Sequence, residues 1–401
     1  MPSNEFELIE TGAALAALCQ RIEEATLLAF DTEFVSEDSY RPQLCLLQLA
    51  TDRWKAVIDP LHCGPLDRFW ELMLDPSRRV VVHAAREEFL FAFRAAGRGF
   101  PDLFDVQVAA GLLGLEFPSS YSNLVQRYTG RQLAKGHTRS DWRVRPLSRS
   151  QLLYAIQDVD DLLTIYRAME EQMTKLGRRS WMDEEMEWRK AELIESESSE
   201  NWFRVSGIQS LDGRSLQVAY GLWKWREQQA RQRNQPARRI LRDDLLIEIA
   251  KQAPRGGMGL DSVRGMNQRL LRNSWNEVIE VVDASASQPC PPWPKRTKFG
   301  YQTISSMVTQ FLHAGLAYVC REQSLSPALV GTTDDLRDYA LYRINAKRNS
   351  QQEPPALLQG WRKKIVGERL DELLQGKVGL ALVDPLDEMP LRFIRNDSSS
   401  T

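Results

Sequence analysis

The sequence predicts an α/β domain followed by all-α helical regions, and three observations carry that prediction. Across residues 1–177, short apolar runs alternate with amphipathic stretches, the pattern of a sheet covered by helices on both faces. Beyond them, apolar residues recur mainly at helical spacing. A Pro-rich break, SQPCPPWPKRTKFG, then separates two helical stretches.

In chain order, Leu8, Ile9, Ala14, Leu15, Leu18 and Ile22 predict a short leading helix after a turn at Thr11-Gly12. Leu27 to Val35, LLAFDTEFV, reads as a strand. Alternation puts Asp31 and Glu33 on one face and Phe30, Thr32 and Phe34 on the other. Two acids side by side resist ionising together, a cost that a bound divalent cation removes; the alternative is a strand running out into a polar turn. The runs QLCLLQLAT and WKAVIDP predict an antiparallel meander. A helix at Pro65–Leu74, a strand RRVVVHAA and a helix EEFLFAFRAAG follow, and DLFDVQVAAGLLG and SYSNLVQRYTG continue the alternation. Arg131 to Pro146 is aperiodic and basic, hence a loop. Leu147 to Gly177 reads as one helix, opened by a Ser148/Gln151 capping box, with Leu152, Ile156, Val159, Leu163 and Tyr166 as its apolar stripe. Tyr154, Asp158 and Asp161 share another face, as half of a site or as a solvated surface.

Composition narrows the function classes. The 401 residues carry a formal net charge of −2, with no run of transmembrane length and no signal-peptide pattern at the start, so no membrane partner is expected. Five dispersed cysteines without C-x-x-C spacing point to reduced thiols in a cytoplasm, and four histidines make no H-x-x-x-H pair. Any metal ligands are therefore carboxylates. Charge is uneven: residues 201–290 hold 14 Lys and Arg against 9 Asp and Glu, whereas residues 181–200 hold 8 acids against 2 basic residues. The local surplus leaves room for a nucleic-acid partner.

Three motifs in order resemble the DEDD superfamily of 3′-to-5′ exonucleases. D-x-E stands as Asp31-Thr32-Glu33 and Y-x-x-x-D as Tyr154 to Asp158, the mark of the tyrosine branch. The second motif, H-x-x-x-x-D in the family, reads His83-Ala84-Ala85-Arg86-Glu87-Glu88, with Glu88 in place of aspartate. Mg²⁺ tolerates little deviation from octahedral geometry, so the extra methylene matters. WKWREQQARQRNQPARRILRDDLLIEIA resembles an HRDC domain, and the region with SPALVGTTDDL and LLQGWRKKIVGERLDELL resembles the second such domain found in ribonuclease D-type chains. The resemblance implies a ribonuclease H-like exonuclease domain (1–177), an acidic linker helix (178–208), an HRDC domain (209–289), a Pro-rich linker (290–300), a second HRDC-like helical domain (301–385) and a tail (386–401).

It further implies hydrolysis of RNA from a free 3′ end, tRNA precursors among the substrates, by two Mg²⁺ or Mn²⁺ ions. Asp31 would bridge both ions, Glu33 and Asp158 would complete the first, Glu88 would hold the second, and Tyr154 would orient the attacking water. Lys135, Arg139 and Arg145 in the basic loop are candidate phosphate contacts. So are Arg238 and Arg239, within a cluster with Arg231, Arg233 and Arg242, with a solvated helix surface as the alternative. His83 is expected to make a structural hydrogen bond, and Trp223 and Trp225 cannot both face a bundle interior. Glu88 motivates a rival reading, a nucleic-acid-binding protein with a decayed site, and a DNA substrate is the other alternative.

Overall fold

The computed structural model describes residues 6–133, 140–252, 274–285, 288–289, 304–345 and 353–396. Six strands form one mixed sheet: β1 (Glu7–Ile9), β2 (Leu27–Val35), β3 (Gln43–Ala50), β4 (Lys55–Ile58), β5 (Arg79–Val82) and β6 (Asp102–Asp105). Their order is β1-β4-β3-β2-β5-β6. The predicted meander is present, with β2/β3 and β3/β4 antiparallel, while β2/β5, β5/β6 and β1/β4 are parallel. β2 is thus central, and its apolar residues Leu28, Ala29 and Phe30 are fully buried.

Helices cover both faces. α1 (Gly12–Glu23) starts at the predicted turn, where the Thr11 side chain accepts from the Ala14 N–H. α2 (Asp67–Met73) supplies Phe69 and Trp70, which pack around Phe30. α3 (Arg86–Ala96) ends on Gly97 in the left-handed conformation that terminates helices. α4 (Val106–Leu112) and α5 (Tyr121–Thr129) precede the basic loop.

The single helix expected over Leu147–Gly177 is two, α6 (Arg149–Asp160) and α7 (Leu162–Lys175). The predicted capping box is present in full. The chain breaks at Asp161, which is tied off sideways: its carboxylate meets Arg131 at 3.0 Å and its N–H donates to the Tyr121 hydroxyl. Asp161 therefore leaves the face of Asp158.

α8 (Arg179–Ser198) is the predicted acidic helix, and it does more than link. Its Glu185 is fully buried and receives Arg362 at 2.6 and 3.0 Å, Arg189 at 2.8 Å and the Trp361 indole N–H at 3.3 Å. Trp181 stacks on Trp361 with centroids 5.4 Å apart. The C-terminal helices, chiefly Ser306–Glu322 and Thr333–Ile344, consequently share one continuous apolar core with the sheet domain. At Gly111 a Cβ would come within 2.8 Å of Leu329, so the glycine permits the close approach of α4 to that region.

A second, separate core lies within residues 202–282, around α9 (Gly213–Arg233), α10 (Ala237–Ile240), α11 (Asp243–Gln252) and the helix Trp275–Ser285. Trp225 is buried there and donates to Glu277 at 2.9 Å, whereas Trp223 sits half-buried and stacks on Tyr220. The two tryptophans indeed divide between interior and surface.

The tail expected from residue 386 is instead half of a hairpin, β7 (Val378–Leu382) with β8 (Leu391–Arg395). Each strand is only five residues, too short to stand out from the helical pattern before it. Residues 290–300, expected as a linker, lie outside the described residues, as does the terminal segment 397–401. No helix among the described residues is long and apolar enough to cross a membrane. Cys19, Cys45, Cys63 and Cys320 are buried free thiols.

Candidate active site

Acids of the first and third motifs face each other across the β2 and α6 pairing, and Glu88 of the second lies near enough to raise the Asp31 carboxyl. Asp31 and Glu33 project from β2 toward α6, which packs across β2, β3 and β4. α6 brings Tyr154 and Asp158 to the same place, one turn apart. Tyr154 is held by Trp142 of the preceding loop, whose ring stacks on it at 6.1 Å. Pairing between β2 and β3 shifts after Glu33, so that Glu33 faces Leu46 but Phe34 faces Leu44. This bulge re-aims the strand just past the two acids. Phe34 packs on Phe91 of α3, in keeping with a core role.

Glu88 arrives from the first turn of α3 and is 4% exposed. The turn that delivers it is pinned by Asp105, whose carboxylate accepts from the Ala84 and Ala85 N–H groups, each at 3.0 Å. Ala84 there takes φ of 60°, unusual for a residue with a side chain, and Asp105 offsets the strain. Asp105 was not singled out from the sequence, although its position as the N-cap of α4 was a usable signal. His83 makes the structural bond expected of it, to the Ser119 carbonyl at 2.8 Å.

Electrostatics show how close these groups are. Burial raises the Asp31 carboxyl well above its ordinary range, with Glu88, Asp158 and Glu33 adding to the effect. Burial also pushes Glu33 up to about 8, helped by Asp158 and Glu88. Glu88 and Asp158 each rise to about 7, burial again being the main cause. Among the described residues, no Lys or Arg forms an ion pair with any of the four.

Gln48 adds a further sign. It lies directly opposite Asp31 in the β2/β3 register, hence on the same face, and is fully buried. Neither end of its amide has a partner among the described residues. An unpaired buried amide beside mutually repelling carboxylates is costly, by about 1–3 kcal/mol for such an amide. Divalent cations, which bind carboxylate oxygens and retain waters, suit this donor set. No three of the described His, Cys, Asp or Glu side chains already converge as a closed metal cage. The acids lie within electrostatic reach of one another.

The pKa shifts have a consequence for stability. Carboxyls with ordinary values near ~4 in the unfolded chain hold protons to about 7 or 8 in the fold. Between those limits the folded state binds more protons, so the metal-free protein loses stability as pH rises from ~4 to ~8. Thermal melts in EDTA are expected to show a lower midpoint at pH 8 than at pH 5, and Mg²⁺ to raise the midpoint more at pH 8. Asp31→Asn should shrink the difference; an equal response in that variant would contradict the coupling.

The candidate phosphate contacts divide. Arg145 does not face solvent as expected. Its guanidinium donates to Asp59 at 2.6 and 2.9 Å and to the carbonyls of Cys45 and Trp142, anchoring the loop before α6 to the sheet. Lys135 and Arg139 lie outside the described residues. Arg238 and Arg239 are 77% and 55% exposed along their side chains, meeting Asp243 at 3.4 Å and Asp38 at 2.5 Å. Of their companions, Arg231 lies over the Tyr40 ring and Arg242 pairs with Asp244. The bond from Arg239 to Asp38, with that from the Tyr40 hydroxyl to Glu227, joins the helical domain to the loop after β2. A cleft of about 770 Å³ opens at this junction, lined by Arg41, Arg94, Glu197 and Trp223 among others. None of the four acids lines it.

A family profile described as a 3′-5′ exonuclease matches residues 6–174, and one for the HRDC domain matches residues 215–282. The chain is 34% identical over 391 residues to ribonuclease D of Bartonella henselae, covering 94% of this chain and 92% of that protein. It is 33% identical to ribonuclease D of Zymomonas mobilis, covering 94% and 95%. Among solved structures, it is similar to Escherichia coli RNase D, an exoribonuclease involved in structured RNA processing. The TM-score is 0.81 and the identity 26%, over 92% of this chain and 99% of that one.

Proposed function

The chain belongs to the ribonuclease D family, and on that basis we propose that it trims structured RNAs from the 3′ end, tRNA precursors with 3′ extensions first among them. It is a 3′-to-5′ exoribonuclease of a metal-dependent family. The observation that carries the site assignment is the gathering of Asp31, Glu33, Glu88 and Asp158 at mutual electrostatic range, without a cationic partner among the described residues.

In this reading Asp31, Glu33 and Asp158 would hold one Mg²⁺ or Mn²⁺ ion, and Glu88 would help to hold a second. Bound divalent ions supply charge neutralisation for the attacking and leaving oxygens of an in-line displacement. Tyr154 positions the attacking water. Burial, with Asp158, Glu33 and Asp31 nearby, raises its phenol further above the ordinary range, which favours the protonated form and a positioning role. Its ring, set against Trp142, fixes where the hydroxyl points. Arg238 and Arg239, with Lys135 and Arg139 of the basic loop, contact phosphates. Such contacts hold the strand without reading its sequence, which suits trimming of varied ends.

The substrate class is tested by comparing a 3′-extended tRNA with DNA of the same sequence. Recognition of the 2′-hydroxyl through one hydrogen bond corresponds to roughly tenfold, so RNA is expected to be shortened at least ~10-fold faster. Equal or faster shortening of DNA would overturn the RNA assignment.

A further inference from the structure

Glu88 stands where the resemblance places an aspartate, and its side chain has one more rotatable bond to control. A longer acid explores more rotamers, and a metal ligand that wanders loses affinity. The fold supplies a restraint. The Thr32 hydroxyl donates to Glu88 Oε1 at 2.7 Å, and the two residues are 5% and 4% exposed. Thr32 lies between Asp31 and Glu33 but faces the opposite side of β2, by the alternation of the strand. The residue between the two acids thus reaches Glu88, while its neighbours face α6.

We infer that Thr32 is a positioning residue that fixes the carboxylate of Glu88 for divalent-cation binding, making glutamate serviceable in this position. The inference rests on the proposed function above. Two features support it. The bond is short and shielded from water, so it is stronger than an exposed one. A charge-assisted O–H···O⁻ bond restricts one carboxylate oxygen and with it the terminal torsion of the side chain. A shorter aspartate at position 88 would not reach Thr32 in the same way, so the two residues form a matched pair.

The test combines Thr32→Val, which keeps the shape and removes the donor, with Thr32→Ser, which keeps the donor. Each is made alone, and Thr32→Val is also made on Glu88→Ala. Divalent-cation binding is measured by calorimetry with Mn²⁺ and no RNA, alongside RNA cleavage over a Mg²⁺ titration. Thr32→Val is expected to weaken Mn²⁺ binding and raise the half-saturating Mg²⁺ by about tenfold, the scale of one hydrogen bond to a charged group. The rate at saturating Mg²⁺ should fall less. Thr32→Ser should restore binding, and Thr32→Val should have no further effect on Glu88→Ala.

Two results would overturn the inference: Mn²⁺ binding unchanged by Thr32→Val, or the same loss in the Glu88→Ala background. The calorimetry needs no RNA, so a failure of the exoribonuclease assignment would show separately, as absent cleavage with the binding pattern intact.

Discussion

Asp31→Asn is expected to abolish RNA cleavage, with a loss of at least ~10³-fold, while RNA binding stays within about twofold. Removal of one group aimed at transition-state charge costs about 10²–10³ in comparable enzymes. Asp31 carries more than one such contact in the proposed site, because it is the acid coupled to all three others. The substitution is nearly isosteric and removes a charge that the metal-free fold resists, so the variant should fold and even gain stability above pH ~7. Binding by filter retention or fluorescence anisotropy in EDTA separates affinity from chemistry. Unchanged cleavage in this variant would remove Asp31 from the site.

The second large effect is structural and lies far from the carboxylates. Glu185→Ala leaves the Arg362 guanidinium buried without its carboxylate, and breaking a buried pair on one side costs about 3–5 kcal/mol. A clear drop in the urea midpoint is expected, since the pair bolts α8 to the C-terminal helices inside the shared core. Replacing Glu185 and Arg362 by methionine should recover most of the loss, because no buried guanidinium is left without its carboxylate at position 362. If Glu185→Ala melted like the parent, α8 would be a tether and not part of the packed core. An unchanged midpoint in the double variant relative to Glu185→Ala would instead locate the cost in lost packing.

These two cases also show what the sequence made legible. Local patterns carried far. The β2 boundaries, the turn before α1 and the Ser148/Gln151 capping box are all set by neighbours in the chain, and each appears where the pattern placed it. The motif acids came together because β2 and α6 are regular elements whose periodicity fixes which side chains share a face. What stayed hidden depends on partners distant in sequence. Nothing near Asp161 announces that Arg131 and Tyr121 will end α6 there. Arg145 reads as one more basic loop residue until Asp59, 86 positions earlier, is found beneath it. Residues 178–208 read as an acidic linker helix, yet Glu185 is buried in a shared core because Arg362, 177 positions away, meets it. Asp105 was hidden for the same reason, since it caps a turn on a different strand.

Within the site, the departure at position 88 is the point on which activity turns. Glu88 remains an oxygen donor, it lies close enough to raise the Asp31 carboxyl, and Thr32 restrains it. These features favour a working site over a decayed one, since a disused position has no reason to keep its acid buried and hydrogen-bonded.

The most direct measurement is digestion of a 5′-labelled, 3′-extended tRNA by the wild-type chain in Mg²⁺, beside a 3′-blocked copy and an EDTA control. A ladder of products shortened one nucleotide at a time, confined to the unblocked RNA and absent in EDTA, is the predicted result. Binding of both RNAs with no shortening in Mg²⁺ or Mn²⁺, or cleavage of the blocked copy at internal positions, would contradict it.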